Sequence, residues 1–174
     1  MLTNRHIPRY DRFTRYLHWA VATGIIYASI VGYSLNYISS PGVHNFFSVL
    51  NMSLATVVTV LMCGRFVWRF FRPSINKPGQ VPAKRNSAAN FAHEVFYIII
   101  FTVLISGFLM LKHGYNFFGL FYVPRPIAVN DVNDFFFKIH RYSTATLVIM
   151  LFLHVLAVVK CHIIDRHPII SRMI

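Results

Sequence analysis

The sequence predicts an all-α integral membrane protein: a four-helix transmembrane bundle formed by one domain over residues 1–174. Three observations carry that prediction. Hydrophobic residues make up 56% of the chain and charged residues 13%, a balance outside the range of soluble domains. The apolar residues gather into four runs, about 17–37, 46–71, 91–111 and 139–164, each close to the roughly 20 residues that a bilayer core demands. The cations collect toward the ends of those runs and in the segments between them.

The elements follow in order. A polar arm with Arg5, Arg9, Arg12 and Arg15 precedes the first run, which carries His18 and Trp19 at its entrance. The loop from Ile38 to Val43 holds Ser39, Ser40, Pro41 and Gly42 and no Lys or Arg. The second run ends in Arg65, Arg69 and Arg72, and a basic linker with Lys77, Lys84 and Arg85 follows. The third run opens on His93 and Glu94. The connection from Lys112 to Lys138 is rich in aromatic residues and suggests a segment lying at the membrane interface. The fourth run leads into a short basic tail.

The net charge of +12 invites a nucleic-acid reading. These cations flank apolar spans and form no separate basic domain, so membrane topology accounts for most of them and no nucleic-acid partner is expected. Cys63 and Cys161 lack metal-binding spacing and read as free thiols. The loops set orientation. Most Lys and Arg lie in the arm, the middle linker and the tail, and the positive-inside rule then places both termini in the cytoplasm.

The fourth run organises the chain. From Tyr142 to Val159 it has no fixed charge, and its one group titrating near neutrality is His154. His140 lies fourteen positions earlier. On a helix the two rings are turned by only about 40° from each other and stand about 21 Å apart along the axis. A lone histidine in such a helix is as often a packing residue as a functional one; a pair on one face near the two membrane surfaces favours function. Imidazole is an axial haem ligand, and the topology puts His18 at a depth close to that of His154. Together these two would close a six-coordinate haem site on the inner side. On the outer side the residue at the depth of His140 is Asn51, and an amide is a poor ligand for haem iron. A second haem there is expected to be absent or, resting on His140, altered in its ligation, with Asn51 standing where a partner is needed.

Several motifs together resemble the bacterial cytochrome b561 family. They are Arg9-Tyr10-Asp11 with Thr14-Arg15 and Leu17-His18-Trp19, then Gly119 to Val123 with Asp134, and finally His140, His154, Lys160, Cys161-His162 and Ile164-Asp165-Arg166. The similarity spans nearly the whole chain. It implies a four-helix b-type haem protein of the bacterial inner membrane that exchanges electrons with ubiquinone or a related quinone. It also implies three possible settings: an electron carrier, a superoxide oxidase reducing ubiquinone, or a haem-bearing anchor subunit of a larger oxidoreductase. Superoxide, a partner redox protein or a second copy of the chain are then the candidate partners beside lipid. In the register of the family, Asn51, Ser53 and Arg65 stand where a His, a Ser and an Arg are usual, and Cys161-His162 stands for a His-His pair.

The resemblance also matches His93 and Tyr97 to a His-x-x-x-Tyr element. With Glu94 they form a candidate quinone and proton site; an interfacial cluster with its polar ends at the headgroups is the competing reading. Arg15 and Arg65 are candidates to pair with haem propionates, although cations at helix ends also follow from topology alone. Lys112, Arg125, Lys138 and Arg141 either steer an anion to the outer side or contact headgroups.

The topology is directly testable. Reporter fusions at Ile174 and within residues 39–43 should report cytoplasmic and external locations respectively; cytoplasmic activity from the loop fusion would overturn the orientation.

Overall fold

The computed structural model of the chain describes residues 9–71, 83–164 and 170–173, and for part of the stretch 83–89 only the backbone. Arg5, Arg72, Lys77, Asp165 and Arg166, all used in the sequence reading, lie outside the described residues. Four helices carry the fold: α1 (Arg12–Ser34), α2 (Pro41–Phe71), α3 (Ala83–Leu109) and α4 (Asn130–Ile163). Three segments among the described residues, Pro41–Phe71, Asn90–Leu109 and Asn130–Ile163, are long and apolar enough to cross a membrane. Their outer faces stay apolar. On α4, for example, Ile149, Phe152 and Leu153 all stand exposed while Leu147 is buried. That inversion of the soluble pattern is what lipid as solvent selects.

Local chemistry sets the helix ends. Asp11 caps α1, its carboxylate accepting the Thr14 N–H at 2.9 Å and the Thr14 hydroxyl at 2.6 Å. Burial pushes the Asp11 carboxyl up, but the bonds from Thr14 outweigh it and hold the group below its ordinary value. The Trp68 indole then donates to the Thr14 hydroxyl at 3.0 Å, tying the start of α1 to the end of α2. Pro41 opens α2, a position where its missing N–H costs nothing. The Trp19 indole donates to the Met173 carbonyl at 2.9 Å and so docks the C-terminal turn on the first helix.

The helices run longer than the apolar runs that announce them. α4 begins at Asn130, nine residues ahead of the run at 139, because Asn133 anchors it. That side chain is fully buried and donates to the Leu109 carbonyl at 2.7 Å, clamping the start of α4 to the end of α3. The connection before α4 is not simply an interfacial segment. It folds into a two-stranded antiparallel hairpin, β1 (Tyr115–Phe117) and β2 (Phe121–Val123), with Phe117 opposite Phe121. The turn needs positive φ at Phe118 (46°) and Gly119 (77°); Gly takes this freely, Phe does not. The Phe118 N–H is held by the buried Ser53 hydroxyl at 3.1 Å, and the Tyr115 hydroxyl bonds Thr56. Both ties pin the hairpin across the N-terminal half of α2.

Packing is by pairs. α1 lies against α2 and α3 against α4, while α2 and α3 touch little. The apolar core between the pairs is Val21, Val58, Met62, Ile100, Leu104 and Leu147. At Gly24 of α1 a Cβ would overlap the Val58 side chain of α2. Gly24→Ala should therefore force this pair apart and cost about 1–3 kcal/mol, read as a lower unfolding midpoint in detergent. Val58→Ala in the same chain should restore much of the loss. An unchanged midpoint for Gly24→Ala would show that the pair does not depend on this approach.

Candidate functional site

Two interior spaces lie between the helix pairs, and one apolar layer divides them. Ile25, Ile100 and Leu147 line both. On one side of this layer the lining carries short polar groups such as Ser48, Asn51 and Thr144, and on the other imidazoles and Arg65.

The first space is a small pocket of about 70 Å³ bordered by His18 of α1, Arg65 of α2, His93 and Tyr97 of α3, and His154 of α4. Three imidazoles from three helices thus converge. The rings of His93 and His154 are 6.3 Å apart, and Phe96 packs edge-on to His154 at 5.4 Å. The His18 Nδ1 is buried with no hydrogen-bond partner, an arrangement that asks for an explanation. Of the two arginines singled out in the sequence, Arg65 borders the pocket and Arg15 does not.

Glu94 does not join the group either, although it follows His93 directly. A neighbouring residue on a helix is turned by about 100°, and Glu94 faces Arg69 of α2 in a two-pronged ion pair, with one bond at 2.8 Å. The grouping of Glu94 with the pocket is corrected to that extent: it is half exposed and paired. Arg69 in turn lies over the Tyr97 ring at 5.3 Å, so the pair reaches the pocket only through Tyr97. This cross-helix pair gave no sign in the sequence, because Arg69 and Glu94 sit in separate runs.

The second space is a cavity of about 890 Å³, within the roughly 300–1,000 Å³ of pockets that enclose ligands of cofactor size. His140 enters it from α4 and Asn51 from α2, so the two belong to opposite helix pairs. The His140 Nδ1 lies 2.9 Å from the Val103 carbonyl. That bond commits Nδ1 and leaves Nε2 as the nitrogen available to a ligand, the usual anchoring of a metal-binding imidazole by its second nitrogen. Gly107 makes room for the ring: a Cβ there would meet His140 Cε1 at 3.2 Å. Asn51 Oδ1 and Thr144 Oγ1, both bordering the cavity, are buried without hydrogen-bond partners. Lys112, His113 and Arg141 line its outer rim, where Lys112 pairs with Asp134 at 2.7 Å. His113 belongs to the link that carries the hairpin and is exposed.

Sequence spacing correctly suggested that Asn51 and His140 share one space. It carried no signal for Val103, which acts through a backbone carbonyl, nor for the sizes of the two spaces. Gly107 inside an apolar run was a visible cue for a close approach. Donor chemistry for a haem is present in both spaces: His18, His93 and His154 at the pocket, and His140, with His113 at the rim, at the cavity. Volume favours the cavity. The pocket has room for a few waters of about 10–15 Å³ each, and a macrocycle between His18 and His154 requires α1 and α4 to stand further apart than they do here.

The sequence profile described as prokaryotic cytochrome b561 matches residues 9–174. The chain is also similar to cytochrome b561 homolog 2 of Escherichia coli (strain K12), 26% identical over 181 residues that cover 95% of this chain and 91% of that protein.

Proposed function

This chain belongs to the prokaryotic cytochrome b561 family, and we propose that it passes single electrons between the quinone pool and a second redox partner through haem held between its helix pairs. The membrane b-type cytochrome character comes with the family; the partners and the residues assigned below are our reading. The observation that carries it is the convergence of His18 and His154, from different helices, on one pocket with the Arg65 guanidinium beside them.

Haem supplies the one-electron redox chemistry. In this assignment His18 and His154 would hold the haem iron, and Arg65 would supply a positive charge for a propionate. Arg15, one turn before His18, supports the same end from outside the pocket. A second haem is assigned to His140 in the larger cavity, with the Ile25–Ile100–Leu147 layer between the two.

Quinone reduction takes two electrons, arriving singly, and two protons. His93 and Tyr97 border the His18 pocket, and His93 is exposed at its edge. We assign His93 to donate a proton to a quinone oxygen and regain it from solvent, with Tyr97 positioning the ring. Glu94 acts one step back. It holds Arg69 over Tyr97, which keeps that wall in place. With both termini cytoplasmic, this pocket faces the cytoplasm and the His140 cavity faces outward.

A second reading concerns the electron donor. Lys112 and Arg141 at the cavity rim favour an anion, and superoxide giving up one electron to become dioxygen fits that charge.

Two tests follow from these assignments. His18→Ala and His154→Ala should each abolish the low-spin b-type component of the reduced-minus-oxidised spectrum; a normal spectrum in both would remove the ligand assignment. His93→Leu should slow quinone reduction by roughly 100-fold or more, the scale of a lost general acid, with the haem spectrum intact. Glu94→Gln should slow it less. Unchanged quinone reduction in the His93 variant would contradict the proton role.

A further inference from the structure

We infer that the His140 cavity is a binding site for a neutral diatomic ligand: a haem there is held by His140 alone, and its opposite face stays open beside Asn51. The inference rests on the reading of this chain as a haem carrier and adds to it a site of a different kind from the bis-imidazole pocket.

Three features of the cavity argue for it. The first is the state of His140. Its Nδ1 is committed to the Val103 carbonyl at 2.9 Å, and Gly107 packs against the ring at 3.2 Å from where a Cβ would stand. The imidazole is therefore held in one orientation with Nε2 as its free donor, so the ligand on this wall is preorganised. The second is the facing wall. Haem iron takes nitrogen, sulfur or phenolate ligands from proteins, and the polar groups that α2 offers to the cavity are the amides of Asn45 and Asn51 and the hydroxyls of Ser48 and Thr59, which are none of these.

The third is the state of the Asn51 amide. Asn51 Oδ1 is buried with no hydrogen-bond partner, and so is the Thr144 hydroxyl on the His140 side. Orphaned polar groups in an apolar interior are costly. Methionine ligation by Met52, which also lines the cavity, would leave Asn51 without a partner. Water on the open face would give Oδ1 a donor, and the NH2 group could donate to a bound diatomic, which cannot itself donate to Oδ1. The volume of about 890 Å³ leaves space for a macrocycle with a ligand above it.

The contrast with the pocket at His18 is chemical. There imidazoles from α1 and α4 border the same pocket, so both would be available to one iron and would leave no place for an added ligand. At His140 the buried wall supplies one imidazole, with His113 exposed at the rim, and Asn51 and Thr144 supply hydrogen-bonding groups.

The experiment uses the purified full-length protein with carbon monoxide as the probe. Haem-to-protein ratio, the reduced carbon monoxide difference spectrum and the ferric electron paramagnetic resonance spectrum are recorded for the wild type and for Asn51→His, Asn51→Ala and His140→Ala. The wild type should hold two haems per chain, one of them high-spin and binding carbon monoxide at one per chain. Asn51→His should keep the haem content, remove carbon monoxide binding and convert the high-spin signal to low-spin. Asn51→Ala should keep binding but release the ligand several-fold faster. His140→Ala should lose one haem and the carbon monoxide band together.

A wild type with only low-spin, carbon monoxide-inert haem would overturn the inference without requiring any variant to fold. So would a carbon monoxide band that survives His140→Ala. Quinone reduction measured on the same sample separates the two levels. A protein that reduces quinone with low-spin haem alone defeats the inference and leaves the proposed function standing, whereas a protein with no haem defeats both.

Discussion

Lipid offers no hydrogen bonds, and this sorts the polar groups on the helices into classes. Most are satisfied within their own helix. The hydroxyls of Ser34, Thr56, Thr59, Thr102, Ser143 and Thr146 each donate to the carbonyl four residues back, so they cost little in an apolar setting. Asn133, Trp68 and Glu94 are met instead by a neighbouring helix, and the groups that line the two interior spaces include the imidazoles of His18, His140 and His154, the Asn51 amide and the Thr144 hydroxyl. Their inward placement is expensive unless something polar or metallic meets them. The functional reading of the bundle depends on that last, short class.

The pairwise packing gives those groups their place. Because α1 rests on α2 and α3 on α4, the surfaces between the pairs are free to differ at different depths. At the middle they close through Ile25, Ile100 and Leu147; beyond that layer, on the hairpin side, they stand apart. The β1–β2 hairpin, tied to α2 through Ser53 and Thr56, braces the open end. A helix bundle with both ends closed would have no such cavity. The divided interior suits two cofactors of unlike character, one sealed and one approachable.

Much of this was legible in the sequence, for physical reasons. Hydropathy marks spans because lipid punishes every exposed charge. The 3.6-residue period puts His140 and His154 on one face, and counting from the loops brings Asn51 into the same cavity as His140. The rest was hidden because it depends on contacts between runs. The extra turns at the start of α4 are invisible to hydropathy, being polar and aromatic, and owe their form to the Asn133 clamp on Leu109. The positive φ at Phe118 has no local signature, since it is sustained by Ser53 far away in the chain. Glu94 read as a costly carboxylate because Arg69, its partner, lies on another helix. The relative sizes of pocket and cavity could not be read at all. Volume is a property of how the pairs sit together, and one small residue at a crossing can change it.

The central claim is that the inward-facing polar groups hold haem, and that the large cavity is one of the places where it sits. The most direct measurement is an experimental density map of the protein purified from membranes with its natural contents. The account predicts planar macrocycle density in the cavity joined to His140 Nε2, with open space on the Asn51 side. Tail-like lipid or quinone density filling the cavity, with His140 touching no metal, would contradict it.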